Sequence, residues 1–182
     1  MNQLKYFQIH GPILIKGEVH KDSRGYFYEA YNKNCINKLL NLNNNFIQDN
    51  ISFSKSGVFR GLHLQKKPYE QGKLVRVVSG SITDFALDLR PNSKTFGKHL
   101  SVHLNSINNE LFWIPKGFAH GFYALDDTIV NYKIDEDYSP LNEITIDYRD
   151  KDLKIKLPTD CPQISNKDQM GISLKKYINE YF

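Results

Sequence analysis

From position 46 onward, apolar and polar residues change over in short runs separated by turn residues, the pattern of many short strands and not of long helices. The runs at 46–53, 58–65, 73–78, 82–89, 100–104, 110–114, 121–125, 129–134 and 144–147 are each predicted to be strands. Ser79, Gly80 and Ser81 lie between two of them and make a turn in which glycine supplies positive φ. Helical spacing occurs twice. Ile36, Leu39 and Leu40 fall at i, i+3, i+4 ahead of an Asn-rich turn at 41–45, and Leu174, Tyr177, Ile178 and Tyr181 mark a helix within 172–182 that packs on the outside. With no long helix between the strands, a parallel α/β sheet is disfavoured. The prediction is an all-β antiparallel jelly roll with a few short peripheral helices.

Alternation assigns faces. In Arg60-Gly61-Leu62-His63-Leu64-Gln65, Leu62 and Leu64 share one face, and His63 and Gln65 the other. In the strand after the Ser79-Gly80 turn, Ile82, Asp84, Ala86 and Asp88 oppose Phe85, Leu87 and Leu89. Two acids and a small residue on one face predict a polar lumen with Lys73 and Asp84 near His63.

Composition narrows the class. At 182 residues the chain has the length of a single domain over 1–182, with enough core to need no metal or disulfide staple. The 11 Tyr and 11 Phe suit a sheet protein. A net charge of +4, with Lys and Arg scattered among acids, argues against nucleic acid and is compatible with a small anionic ligand. No apolar run reaches the roughly 20 residues of a membrane helix, and residues 1–7 contain no apolar signal core, so the expectation is a cytoplasmic protein without a membrane partner. Cys35 and Cys161 have no paired spacing and are read as reduced thiols.

The chemistry-bearing segments are His63-Leu64-Gln65 and Trp113-Ile114-Pro115-Lys116-Gly117-Phe118-Ala119-His120-Gly121-Phe122. The second carries a P-x-G-x-x-H pattern typical of cupins. The first, with Gly57, Glu70 and Gly80, partly matches the other cupin motif, except that the usual H-x-H is His63-Leu64-Gln65. An amide in place of the second imidazole removes a strong metal ligand, which weighs against a metal-dependent oxygenase built on His63, Glu70 and His120.

Taken in order, Lys21-Asp22-Ser23-Arg24-Gly25-Tyr26-Phe27-Tyr28-Glu29, Gln48-Asp49-Asn50, the 60–65 and 113–122 segments, Gln71-Gly72-Lys73-Leu74-Val75-Arg76-Val77, Tyr132-Lys133 and Tyr138-Ser139-Pro140 resemble the dTDP-4-dehydrorhamnose 3,5-epimerases from about Asp22 to Asp168. These are metal-independent cupins that invert carbons beside the 4-keto group of a nucleotide-linked sugar. The resemblance implies no cofactor, a nucleotide-linked 4-keto sugar as substrate, and a homodimer with shared active sites. It implies His63 as base with Asp168 as its partner, Tyr132 as proton donor on the opposite face, and Lys73 beside the developing oxyanion. It also implies Arg24 and Arg60 at the diphosphate, Glu29, Gln48 and Asn50 around the nucleotide, and His120, Glu143 and Lys167 around sugar and phosphates, with the substrate-binding segment that carries Arg24, Phe27 and Glu29 reaching into a neighbouring subunit's site. A 3,4-ketoisomerase of a related cupin branch and a sugar-nucleotide binder without turnover are the competing readings; Lys167-Asp168 favours the epimerase branch. The sequence departs from the family pattern at Ile51, Leu64, 134–137 and Ile144, which leaves open the sugar, the base, and inversion at C3 alone or at C3 and C5.

Overall fold

The computed structural model describes residues 3–181; the ends of the segments read at 1–7 and 172–182 therefore lie in part outside the described residues. The elements run β1 (Gln3–Tyr6), β2 (Ile13–Lys16), β3 (Val19–Asp22), β4 (Gly25–Tyr28), α1 (Lys33–Leu40), β5 (Gln48–Ser54), β6 (Phe59–Gln65), β7 (Lys73–Ser79), β8 (Ser81–Asp88), β9 (His99–Asn105), β10 (Glu110–Ile114), β11 (Phe118–Ala124), β12 (Thr128–Ile134), β13 (Glu143–Thr145), α2 (Asn166–Gln169) and α3 (Leu174–Tyr181).

They form two facing sheets, ordered β1-β2-β10-β7-β12-β5 and β13-β6-β11-β8-β9, with β3-β4 as a separate hairpin. Every strand pairing between these elements is antiparallel. This is the all-β jelly roll with short peripheral helices that the strand pattern predicts. The strands predicted from 46 onward all appear, with shifted ends. β1 to β4 do not belong to that series, because they are four residues long; β1, β3 and β4 are mostly exposed and β2 buries two adjacent residues, so no buried alternation marks them. Gly80 takes φ +79° at the β7–β8 turn, where an added Cβ would lie 2.6 Å from the Asp127 carbonyl oxygen.

Three apolar clusters follow from the alternation. Leu62, Leu64, Phe85 and Leu87 point away from the lumen and are covered by Ile146, Tyr148, Leu153, Leu174 and Tyr177 of the C-terminal segment. α1 sits over the outer face of the other sheet through Ile36, which packs with Ile15, Leu74, Leu111 and Trp113. Between the sheets lie Val75, Val77, Ile82, Ala86, Phe112, Phe118, Phe122 and Val130.

The lumen is therefore not polar throughout, which corrects the reading of the β8 face. Ile82 and Ala86 are fully buried in the apolar part. Asp88, at the far end, is clamped by Arg90, Ser93 and Thr95. Of that face, Asp84 is the acid that contacts a residue of the polar end, His120.

Candidate active site

The polar end of the lumen is a cavity of about 670 Å³ walled by both sheets and closed on one side by the segment 163–168. It brings together ten of the residues singled out in the sequence: His63, Asp168, Tyr132, Lys73, Gln48, Asn50, Arg60, His120, Glu143 and Lys167. Strand alternation explains the convergence. Lys73 shares the inward face of β7 with Val75 and Val77, Tyr132 stands between Val130 and Ile134 on β12, and Gln48 and Asn50 alternate on β5. Because β6 and β12 belong to opposite sheets, His63 and Tyr132 enter from opposite walls.

His63 and Asp168 are the tightest pair. The His63 Nε2 lies 2.6 Å from Asp168 Oδ1, and the Asp168 carboxylate also accepts from the Gly61 amide at 3.3 Å. Ser165 caps α2, its hydroxyl accepting from the Asp168 amide at 3.1 Å, and so fixes the backbone that carries the acid. Burial by itself raises the Asp168 carboxyl, but hydrogen bonding and charge from His63, with the Gly61 and Ser165 contacts, hold it below the usual aspartate range. An ionised Asp168 accepts from Nε2–H and leaves Nδ1 of His63 as the ring's remaining basic nitrogen. By residue pattern alone Asp168 reads as a solvated loop acid; the fold buries it instead.

Lys73 is buried and donates to the His63 carbonyl oxygen at 3.2 Å. Burial pushes its ammonium down to about 8, against the charges of Glu143 and Asp84, which favour the cation, while Lys167 opposes it. The Tyr132 phenol is raised by burial and by the Glu143 charge, against Arg60, so it stays protonated at neutral pH. Glu143 accepts from Lys167 Nζ and from the Tyr138 hydroxyl, both at 2.6 Å. Burial favours its acid form, but these two hydrogen bonds and the His63 charge keep it below the ordinary glutamate range, and the same bond pushes Tyr138 up to about 12.

Arg60 is anchored at the cavity rim by Ser54 Oγ at 2.8 Å and the Phe53 carbonyl at 2.9 Å, and Gln48 donates to Asn50 Oδ1 at 2.7 Å. Arg24, Phe27 and Glu29 are not brought to this cavity. They lie on and just after the β3–β4 hairpin, where Arg24 forks onto Asp22, Phe27 is 70% exposed and Glu29 accepts from Asn32.

Three residues that the sequence brings out without a site role also matter. Tyr138, with half of its surface exposed, stands at the mouth. Asp84 Oδ1 is 2.6 Å from His120 Nε2. Gln65, on the polar face with His63, gives its amide to the carbonyls of Tyr69 and Asp137 and accepts from the Ser139 amide, so it ties two loops together beside the cavity. The metal-site alternative is not favoured. Glu70 is not among the residues that line this cavity, and among the described residues no three His, Cys, Asp or Glu side chains converge as ligands.

A jelly roll whose lumen sets a carboxylate-backed imidazole and a buried ammonium against a protonated phenol defines a cupin-type enzyme equipped for proton transfer at carbon. The model of the family "dTDP-4-dehydrorhamnose 3,5-epimerase" matches residues 6–176. The dTDP-4-dehydrorhamnose 3,5-epimerase of Shigella flexneri is 41% identical, covering 100% of this chain and 99% of its own. That of Methanothermobacter thermautotrophicus is 48% identical, with 88% of each chain covered. The crystal structure of dTDP-6-deoxy-D-glucose-3,5-epimerase from Legionella pneumophila in complex with dTDP-4-keto-L-rhamnose superposes with a TM-score of 0.92 at 40% identity, covering 96% of this chain and 94% of that one. The chain belongs to the dTDP-4-dehydrorhamnose 3,5-epimerase family, a family of isomerases, and neither the ketoisomerase nor the oxygenase reading is favoured.

Proposed function

We propose that the protein inverts C3 and C5 of a dTDP-linked 4-keto-6-deoxyhexose, with His63 as base and Tyr132 as acid. The observation that carries the assignment is the His63–Asp168 pair at 2.6 Å on one wall of a cavity that Tyr132 enters from the other sheet.

The ketone makes the neighbouring C–H bonds acidic. Nδ1 of His63 takes the hydrogen as a proton, the C–H electron pair becomes the C=C bond of an enolate, and negative charge moves to the former carbonyl oxygen. Asp168 steadies the imidazolium that forms. Lys73 supplies a desolvated positive charge for the oxyanion. The Tyr132 O–H then breaks and its proton adds to the opposite face of the carbon, inverting it. Solvent reloads the phenolate and receives the proton held by His63, which resets the site for the second carbon.

Arg60 suits the diphosphate through its guanidinium fork. Gln48 and Asn50 suit the nucleotide, and His120, Glu143 and Lys167 suit the sugar and its phosphates. Arg24, Phe27 and Glu29 complete the site of a neighbouring subunit, so the working form is a homodimer. Exposed Tyr26 and Phe27 on the hairpin, and Ile51 at 74% and Phe53 at 55% on the edge strand β5, support such an interface. We assign the enzyme to the cytoplasm and to the supply of a deoxysugar for a surface polysaccharide.

The test incubates dTDP-4-keto-6-deoxyglucose with the protein in deuterated water and identifies the product by NMR. The 4-keto-L-rhamnose configuration with deuterium at both C3 and C5 is the expected product. A product labelled and inverted at C3 alone would contradict double inversion, and an unlabelled sugar would end the enzymatic assignment.

A further inference from the structure

The lumen contains a second carboxylate-backed imidazole that the mechanism above leaves without a role. His120 and His63 are directly paired in the β11–β6 register, so the two rings are neighbours on the same wall. Each has its Nε2 2.6 Å from a carboxylate oxygen, His63 from Asp168 and His120 from Asp84. Asp84 lies on β8, the strand on the other side of β11, and is 0% exposed.

Only one of its oxygens is satisfied. Asp84 Oδ2 is buried with no hydrogen-bond partner, one of two such side-chain atoms found among the described residues. Leaving a buried carboxylate oxygen unpaired is costly, and an uncharged residue at this position would avoid that cost. The nearby counter-charge is Lys73, whose ammonium makes its hydrogen bond to the His63 carbonyl and not to Asp84. The charged groups facing Lys73 are Glu143 and Asp84, which favour its protonation, and Lys167, which opposes it. Glu143 is already engaged by Lys167 and Tyr138, which leaves Asp84 as the acid whose charge is not otherwise neutralised by a cation.

We infer that Asp84 is a positioning residue for the electrophilic half of the reaction, fixing the His120 ring at the cavity wall and holding Lys73 as an ammonium where the enolate charge develops. The inference rests on the proposed epimerase function and deepens it. Asp168 serves the nitrogen that removes the proton, and Asp84 serves the ammonium that receives the resulting charge.

Asp84→Asn tests this, because the amide oxygen still accepts from His120 Nε2–H while the negative charge is gone. The measurement is kcat and KM across pH, with C3 and C5 exchange in deuterated water as the readout. The expected result is a fall in kcat on the order of 10²-fold, the loss that one oxyanion-stabilising group carries, with a smaller change in KM. The alkaline limb of the profile should also move to lower pH, since Lys73 loses a charge that keeps it protonated. A structural residue would lower activity without moving that limb. Asp84→Ser removes the charge with less bulk and carries the same expectation. A wild-type kcat with an unmoved limb in either folded variant overturns the role of Asp84 while leaving the epimerase intact. Failure of both variants to fold assigns Asp84 to structure and also overturns it. Absence of exchange in the wild type defeats the proposed function and this inference together.

Discussion

His63 and Asp168 meet at 2.6 Å although 105 residues separate them, and the contact needs Gly61, Ser165 and the α2 backbone to be in place. With His63 as base, His63→Ala removes the abstracting group, and its turnover should be the lowest of the single variants. Tyr132→Phe keeps the ring and loses the donor, with an expected fall in epimerisation of roughly 10²–10⁴-fold. Lys73→Ala should raise the barrier by about 2.7–4 kcal/mol, seen in kcat more than in KM. Since the Lys73 ammonium is pushed down to about 8, wild-type kcat should decline as pH rises through that value, and the decline should be absent from the residual activity of Lys73→Ala. The stability linkage of Asp168 has the opposite direction. Its carboxyl is lowered in the fold, so the pair's contribution is complete above the ordinary aspartate value and disappears as pH falls below it. Thermal melts between about pH 5 and about pH 3 should therefore lose more stability in the wild type than in Asp168→Asn.

At the level of elements, the site depends on close strand approach and on loops held by buried acids. An added Cβ at Gly61, which has φ +122°, would fall 2.6 Å from Gly121 Cα, so β6 and β11 can pair as closely as they do around His63 and His120 only with glycine there. Asp88 closes the far end of the lumen by accepting from Arg90, Ser93 and Thr95. Asp88→Ala should cost about 3 kcal/mol in urea denaturation, less than a fully buried pair would lose because a third of the Arg90 side chain stays hydrated. Alternation along β6 and β8 was readable because both faces of those strands are committed, Leu62 and Leu64 to one cluster and His63 and Gln65 to the cavity. The N-terminal strands carry no such mark, since residues such as Gln3, Lys5, His20 and Lys21 are exposed there. The short helix α2 has a single buried residue, Asp168, too little for any periodicity to register.

For the whole molecule, the residue pattern indicated two sheets and a lumen, but not where the lumen changes from apolar to polar. That boundary depends on which strands face or flank one another: Ala86 packs with Phe112 and Val130 of the other sheet, whereas Asp84, two residues earlier, meets His120 of the neighbouring strand β11. Such pairings are set by topology and have no local signature. The proposed contribution of Arg24, Phe27 and Glu29 to a neighbour's site would likewise be a property of the assembly. Under the proposed dimer, Arg24→Ala and His63→Ala should each be poorly active alone and regain activity when mixed and allowed to exchange subunits, because a mixed dimer contains one intact site. Activity that stays low after demonstrated subunit exchange would place Arg24 in its own chain's site. The most direct test of the account separates abstraction from delivery by comparing hydrogen exchange and inversion in deuterated water for three proteins. The wild type should exchange and invert at C3 and C5, Tyr132→Phe should exchange while accumulating little inverted sugar, and His63→Ala should do neither. Exchange by His63→Ala at the wild-type rate would contradict the assignment of His63 as the base.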